Sequence, residues 1–388
     1  MLTIPARTFR TRTDQRAEEI VRDLLERAGI RVGGDEPHDI QVHDGRFYAR
    51  VLAEGSLGLG ESYMDGWWDA ESVDAFMDLV IRARLDKQVR QSPQAIANSL
   101  RARVVNMQRG RRVFEVGEQH YDVGNDLYEE MLDKRLLYTC GYWPDGVTDL
   151  DAAQEAKLDL VCQKVGLTQG MRVLDLGCGW GGFAQYAAER YGAEVVGYTI
   201  SREQAALARK RCEGLPVTIH MDDYRKARGS FDAVISIGLM EHVGPKNYRA
   251  YMGLVDRCLK EGGVAFVHTI AGNRSRDHLD PWFDRYIFPN AVIPSVARLG
   301  TALEVDFVLE DLHNIGPHYE PTLLAWHERF ERAYRERDDL RERYGERFYR
   351  MWRFYLLASA AAFRARYLQL FQIVFTRVGT PQPAARVS

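Results

Sequence analysis

The sequence predicts an α/β protein in which a doubly wound, mostly parallel sheet is flanked by helices and preceded by a smaller α+β module. Three observations carry this. From residue 151 onward, apolar β-branched runs alternate with helical stretches, the pattern of a parallel sheet covered on both faces. The first run, VLDLGCGWGG at 173–182, ends in a glycine-dense turn of the kind that opens a βαβ unit onto an adenosine-containing ligand. At 388 residues the chain is long enough for two domains, and 46% hydrophobic with 28% charged residues excludes disorder.

Residues 14–30 carry apolar positions at helical spacing. The segment 40–52, IQVHDGRFYARVL, alternates and is read as short strands. Gly55, Gly58 and Gly60 follow, then an aromatic-rich helix candidate over 61–85. These form one module, placed at residues 1–105, and the polar, basic stretch 88–112, helical in part, marks its boundary with a catalytic domain over 106–388. Each domain is expected to hold a sizeable core.

In the second domain AAQEAKLDLVCQKVGL is an amphipathic helix and MRVLDLG a strand. FAQYAAERYG, REQAALARKRCEG and NYRAYMGLVDRCLKEG read as helices, and AEVVGYTIS, VTIHM, FDAVISIG and GGVAFVHTI as strands. After Ile270 comes a proline-punctuated aromatic insertion, DPWFDRYIFPNAVIPS, then a charged helical stretch over 322–366 and a last strand, YLQLFQIVFTR.

A net charge of −3 gives no general affinity for nucleic acid. Residues 82–112 nevertheless hold nine basic residues and one acid, Asp86, so this run is either a solvated helix face or an anion-binding surface. Five scattered cysteines without a CxxC pair suggest neither a disulfide framework nor a metal site, and a reducing cytoplasm fits. The first residues contain no apolar signal region. The longest mostly apolar run, 354–363, falls far short of the ~20 residues of a membrane span, so any membrane contact is expected to be peripheral.

The glycine turn fits more than one ligand, because Gly177, Gly179 and Gly182 also match the dinucleotide pattern. A dinucleotide unit usually carries an acid at the end of the second strand, but here that strand ends in Thr199, Ile200 and Ser201. Asp175 precedes the turn instead, and a carboxylate there suits a ligand with an ammonium and a sulfonium, S-adenosylmethionine. A turn that merely lets strand and helix pack is the third reading. Thr199, Ser201 and Gln204 are candidates for the ribose, and Asp223 and Tyr224 for the adenine. Ser201 and Gln204 equally form an ordinary helix cap.

Chemistry in such sheets lies beyond the carboxyl ends of the strands. The fourth strand runs into Glu241 and His242, and the fifth ends with His268, Thr269 and Ile270. An acid and an imidazole near one cationic ligand suit base, acid or electrostatic roles. The aromatic segment 121–143 reads as a lid over the ligand. Within it, Cys140 is either a nucleophile or a small core residue. Together with PWFDRYIFP, this segment suggests an apolar substrate channel.

HYDVGNDLYEEMLD, YTCGYW, TISREQ, EHVGPKNY, DPWFDRYIFPN, HNIGPHYEPTLLAWHERF and FRARYLQLFQIVF, with the turn itself, make residues 110–377 closely resemble cyclopropane-fatty-acyl-phospholipid synthases. The resemblance implies a Rossmann-like, seven-stranded class I methyltransferase domain that transfers a methylene from S-adenosylmethionine to the cis double bond of an acyl chain in a membrane phospholipid. In such enzymes the alkene attacks the sulfonium methyl, and loss of a proton from the resulting carbocation closes the ring. It implies bicarbonate as proton acceptor, held by the side chains of Cys140, Glu241, His268 and Tyr319 and the backbone of Ile270. Cofactor contacts carry over to Tyr138, Thr139, the turn Gly177, Cys178 and Gly179, the stretch from Thr199 through Ser201 to Gln204, and Asp223 with Tyr224. The implied location is cytoplasmic, peripheral at the inner membrane face, and a homodimer stays open. Where many relatives read N-A-C in the late helix, this chain has Leu357, Ala358 and Ser359, which disfavours covalent catalysis there. A methyl-branched or methylene product from the same cation is the alternative.

Overall fold

The structure, a computed structural model, describes residues 12–85, 124–304 and 306–387. The expected domain boundary, the stretch 88–112 and most of the basic run lie outside the described residues.

The N-terminal module comprises α1 (Arg12–Arg27), β1 (Ile40–Val42), α2 (Arg46–Glu54), α3 (Ser56–Met64), β2 (Trp68–Ala70) and α4 (Val73–Arg82), with β1 and β2 paired antiparallel. The alternation over 40–52 yields a strand only at its start. Phe47 and Val51 also lie one helical turn apart, and Asp44 accepts from the Arg46 N–H at 2.9 Å, so a helix begins there. The segment 61–85 likewise splits into parts of two helices around β2, with Ser72 capping the second by accepting from Ala75 N–H.

The module does not close a core of its own. Trp68, Phe47, Phe76 and Tyr63 form one continuous cluster with Trp282 and Phe354 from the far end of the chain. Tyr63 and Trp282 lie 5.5 and 4.8 Å from the Phe354 ring. At Gly60 an added Cβ would lie 2.4 Å from the Trp282 indole, so only glycine admits this contact. Arg82, from the basic run, bonds Asp78 at 2.8 Å and the Arg364 carbonyl at 3.1 Å, so this residue ties the N-terminal module to the chain 282 residues on.

Next come α5 (Asn125–Met131), α6 (Leu150–Lys164), β3 (Arg172–Leu176), α7 (Gly182–Tyr191), β4 (Glu194–Thr199), α8 (Arg202–Arg211), β5 (Val217–Met221), β6 (Phe231–Ile237), α9 (Met240–Val243), α10 (Tyr248–Cys258) and β7 (Leu259–Gly272). The remainder is α11 (Pro281–Tyr286), α12 (Val296–Leu303), β8 (Phe307–Asn314), α13 (Tyr319–Glu336), α14 (Asp338–Arg364, broken at Gly345) and β9 (Leu368–Arg377). The strand order is β5-β4-β3-β6-β7-β9-β8. β5 to β7 run parallel, and β9 lies antiparallel between β7 and β8.

Alternate side chains of each strand enter opposite layers. Leu174 and Val234 pack with α10 and α12, while Val173 and Ala233 pack with α6 and α7. The chain winds outward from β3 in one direction and from β6 in the other, so the crevice for a ligand opens at the carboxyl ends of these central strands. Among the described residues, no helix is long and apolar enough to cross a membrane.

Candidate active site

After β3, Gly177, Gly179 and Gly181 take φ of 84°, 53° and 79°, a left-handed run suited to glycine. The N–H groups of Gly177 and Cys178 donate to the Tyr198 carbonyl on β4 at 3.0 and 2.8 Å, tying the turn to the second strand. Cys178 is buried against Gly197, where an added Cβ would meet its sulfur at 2.9 Å. Asp175 is buried, and burial pushes its carboxyl up to about 7 against the pull of Lys157.

Along β4 and β5 the expected cofactor residues are wired to one another. Thr199 donates to Gln204 Oε1 at 2.8 Å, and Ser201 accepts from Gln204 N–H, so Ser201 does cap α8. Both oxygens of Asp223 receive Arg225 Nε, at 2.8 and 2.9 Å, a partner the sequence reading did not anticipate. The Tyr224 ring lies 6.0 Å from Tyr251, and burial raises its phenol to about 12.

The second half of the site arises because β7 outruns β6. Their last paired residues are Ile237 and His268, and Gly238 N–H bonds the His268 carbonyl at 2.9 Å. The next donor on that edge, Ile270 N–H, extends past β6 and is taken by Glu241 Oε1 at 2.6 Å. Burial raises the Glu241 carboxyl to about 7, opposed by bonds from backbone N–H groups, that of Ile270 among them. His268, 1% exposed, faces the Gln372 amide on β9, which lies 3.5 Å from Nδ1. With that amide donating, the ring proton is assigned to Nε2. Burial, helped by Lys157, holds the imidazole neutral, well below its usual range.

Cys140 is fully buried, its thiol pushed up by burial. Tyr319 opens α13, and its phenol is raised by burial and by nearby Tyr355, Cys140 and Glu241. The five residues expected around an anion therefore share one neighbourhood. His242, also a strand-end candidate, lies against Phe288 instead, with ring centroids 6.2 Å apart.

The described part of the expected lid is packed against the strand ends. Leu127, Tyr128 and Met131 are fully buried. An added Cβ on Gly182 would lie 2.6 Å from the Arg135 carbonyl, and one on Gly238 2.9 Å from the Thr139 methyl, so the segment crosses the strand ends in contact. Tyr138 donates to the Tyr355 hydroxyl at 2.8 Å, and Phe283 and Phe288 lie 6.2 and 5.8 Å from the Tyr355 ring. The two aromatic segments thus meet at Tyr355, which sequence reasoning missed. Also missed was Lys157, fully buried, whose Nζ donates to Thr139 Oγ1 at 2.8 Å. The available signal was a glutamine and a lysine on the apolar stripe Gln154, Lys157, Leu158, Val161 of α6.

Asp175 Oδ2, Glu241 Oε2 and His268 Nε2 are buried without a protein partner, a condition native proteins rarely leave unanswered. A carboxylate beside an open glycine turn fits a cationic ligand such as S-adenosylmethionine. A carboxylate acceptor with imidazole and phenol donors fits a small oxyanion that carries one proton, such as bicarbonate, whereas the Cys140 thiol donates to the Gly141 carbonyl at 3.1 Å and does not face it as a free donor. Among the described residues, no group of three or more His, Cys, Asp or Glu is placed to hold a metal.

Parallel strands that open on a glycine turn and are closed by an antiparallel strand define the class I methyltransferase fold, and comparison with known proteins narrows this further. Residues 108–373 match the family model for mycolic acid cyclopropane synthetase, and the chain belongs to that family. It is 50% identical over 361 residues to cyclopropane-fatty-acyl-phospholipid synthase of Escherichia coli K12, covering 92% of this chain and 93% of that protein. It is 33% identical to tuberculostearic acid methyltransferase of Mycobacterium tuberculosis, over 86% of this chain and 81% of that one. The solved structure of mycolic acid cyclopropane synthase CmaA1 with SAH and CTAB superposes with a TM-score of 0.62 at 28% identity, covering 68% of this chain and 97% of that one.

Proposed function

We propose that this chain transfers a methylene from S-adenosylmethionine to the cis double bond of an unsaturated phospholipid acyl chain, closing a cyclopropane ring. The observation that carries the reading is Glu241, fixed through one oxygen by Ile270 N–H and buried without a partner at the other.

Bound at the turn, S-adenosylmethionine supplies an electrophilic methyl on a sulfonium. Asp175 attracts its cationic end. An isolated alkene is a weak nucleophile, so the aromatic wall contributes mainly by aligning the acyl chain and excluding water. Its ring faces also attract the positive charge left on the chain after transfer. Ring closure then needs a base for one proton. Glu241, His268 and Tyr319 would hold bicarbonate, which supplies that base, while the Ile270 N–H fixes Glu241 and Cys140 lines the pocket. His268, kept neutral by burial, offers a donor, and Glu241 offers an acceptor. Leaving the proton to a small bound anion spares the Glu241 carboxylate from alkylation. Tyr138, Thr139, Gly177, Gly179, Thr199, Ser201, Gln204, Asp223 and Tyr224 complete the proposed cofactor site. Ser359 forms no covalent adduct in this scheme.

The acyl substrate resides in a bilayer, so the proposed setting is the inner face of the cytoplasmic membrane, with peripheral contact through the N-terminal module and the basic run. Each such cation near anionic lipid contributes about 1 kcal/mol. Branching without ring closure is the second reading, favoured by the likeness to tuberculostearic acid methyltransferase.

The test is to incubate the full chain with S-adenosylmethionine and vesicles of one defined unsaturated phospholipid, then analyse the acyl chains by gas chromatography with mass spectrometry and proton NMR. Cyclopropane protons are expected. Methyl-branched or methylene chains would select the second reading, and binding of NADH without binding of S-adenosylhomocysteine would overturn both.

A further inference from the structure

The contact between Lys157 and Thr139 carries a consequence beyond that reading. An ammonium has three donors and no acceptor, so in the 2.8 Å bond from Lys157 Nζ the Thr139 hydroxyl must accept. Its own proton is therefore directed to a third group. The rotamer is set from two sides, with the methyl against Gly238 and the oxygen against Lys157, and a β-branched side chain has few alternatives at χ1. The backbone is fixed as well, because Gln154, one turn before Lys157 on α6, donates to the Thr139 carbonyl at 2.8 Å. α6 thus holds Thr139 at its hydroxyl and its carbonyl.

Thr139 lies beside Gly238, at the end of β6. Among the residues proposed for the cofactor, Thr199 and Asp223 sit at the ends of β4 and β5 and serve the nucleoside, leaving the β3 and β6 ends for the amino-acid portion. That portion is a zwitterion. Asp175, at the end of β3, and Lys157, whose Nζ reaches Thr139, are both buried here, an acid and an amine that offer a complement for each half.

We propose that Lys157 is a positioning residue that turns the Thr139 hydroxyl toward the carboxylate of the methyl donor's amino-acid portion and adds attraction for it. The proposal rests on the methyl-donor reading above.

Calorimetric titration of the full chain with S-adenosylhomocysteine and with 5′-methylthioadenosine, which lacks the amino acid, separates the possibilities. Lys157→Met should weaken S-adenosylhomocysteine binding by about tenfold to a hundredfold, the scale of a lost charge-assisted hydrogen bond, while methylthioadenosine binding stays near that of the parent. Thr139→Val should show the same selective loss, and the double variant should lose little more than either single one. If Lys157→Met does not fold, Lys157→Gln, which keeps a donor but no charge, decides the matter by the same ratio. Equal losses for both ligands, or no loss for either, would overturn the proposal by reducing Lys157 to a structural role or to a partner of the anion site alone. A parent chain that binds neither ligand would instead sink the methyl-donor reading.

Discussion

The two halves of the site solve the problem of buried polar groups in opposite ways. On the nucleoside side, the expected residues answer one another locally: Thr199 bonds Gln204, Ser201 caps the helix that carries Gln204, and Asp223 is bridged by Arg225 two residues on. On the β6 and β7 side, the groups come from distant parts of the chain, and Glu241 Oε2 and His268 Nε2 have no protein partner. The first arrangement is stable without a ligand, whereas the second bears a desolvation cost that a ligand would relieve. Where a fold tolerates such a cost, chemistry is the natural explanation.

The largest test of this contrast removes the unanswered groups. Glu241→Gln and His268→Ala should each lower turnover by about a hundredfold to ten-thousandfold, with S-adenosylhomocysteine affinity close to that of the parent. Steady-state rates on phospholipid vesicles beside calorimetric titration would show it, and near-normal turnover in both would dissolve the proposed anion pocket.

A smaller effect concerns stability. Burial raises Glu241 from 4.5 to about 7, so the native state holds this proton more tightly than the unfolded chain does. The group's contribution to stability is therefore present below pH 4.5 and lost as pH rises toward 7. The shift is worth about 3 kcal/mol. Glu241→Gln should accordingly raise the melting temperature by a few degrees near pH 8 and change it little near pH 4. A gap between parent and variant that ignores pH would break the claim that Glu241 is held at a cost.

The smallest expected effect is at Ser359, half-buried on α14 one turn beyond Tyr355. Ser359→Ala should keep its rate. An inactive but folded variant would bring that position back into the chemistry.

Much of this was legible from the sequence because it depends on local pattern. Strands inside a sheet favour apolar β-branched runs, and six were read directly, the five parallel ones and β9. The seventh, β8, carries Glu310 and Asp311 and exposes Val308 and Leu309 at the sheet edge, so it offers no such run. The helix Arg46–Glu54 was misread because Phe47 and Val51 satisfy both an alternating and a helical spacing. Glu241 and His268 could be placed together from the rule that strand ends face the ligand. Lys157 could not, because helical periodicity shows which face is buried and not that a cation on it meets Thr139, eighteen residues earlier. The sharing of the N-terminal core with Trp282 and Phe354 was hidden for the same reason of distance.

The strand order also bears on biosynthesis. His268 lies on β7, but the strand that brings Gln372 beside it starts 96 residues after β7 ends, from 272 to 368. At ribosomal speeds of about 5–20 residues per second, β7 waits roughly 5 to 20 s with that edge unpaired. The turn for the methyl donor is complete long before the imidazole has its neighbour. A chain ended before residue 368 would have the glycine turn but not the Gln372 amide that faces His268 Nδ1.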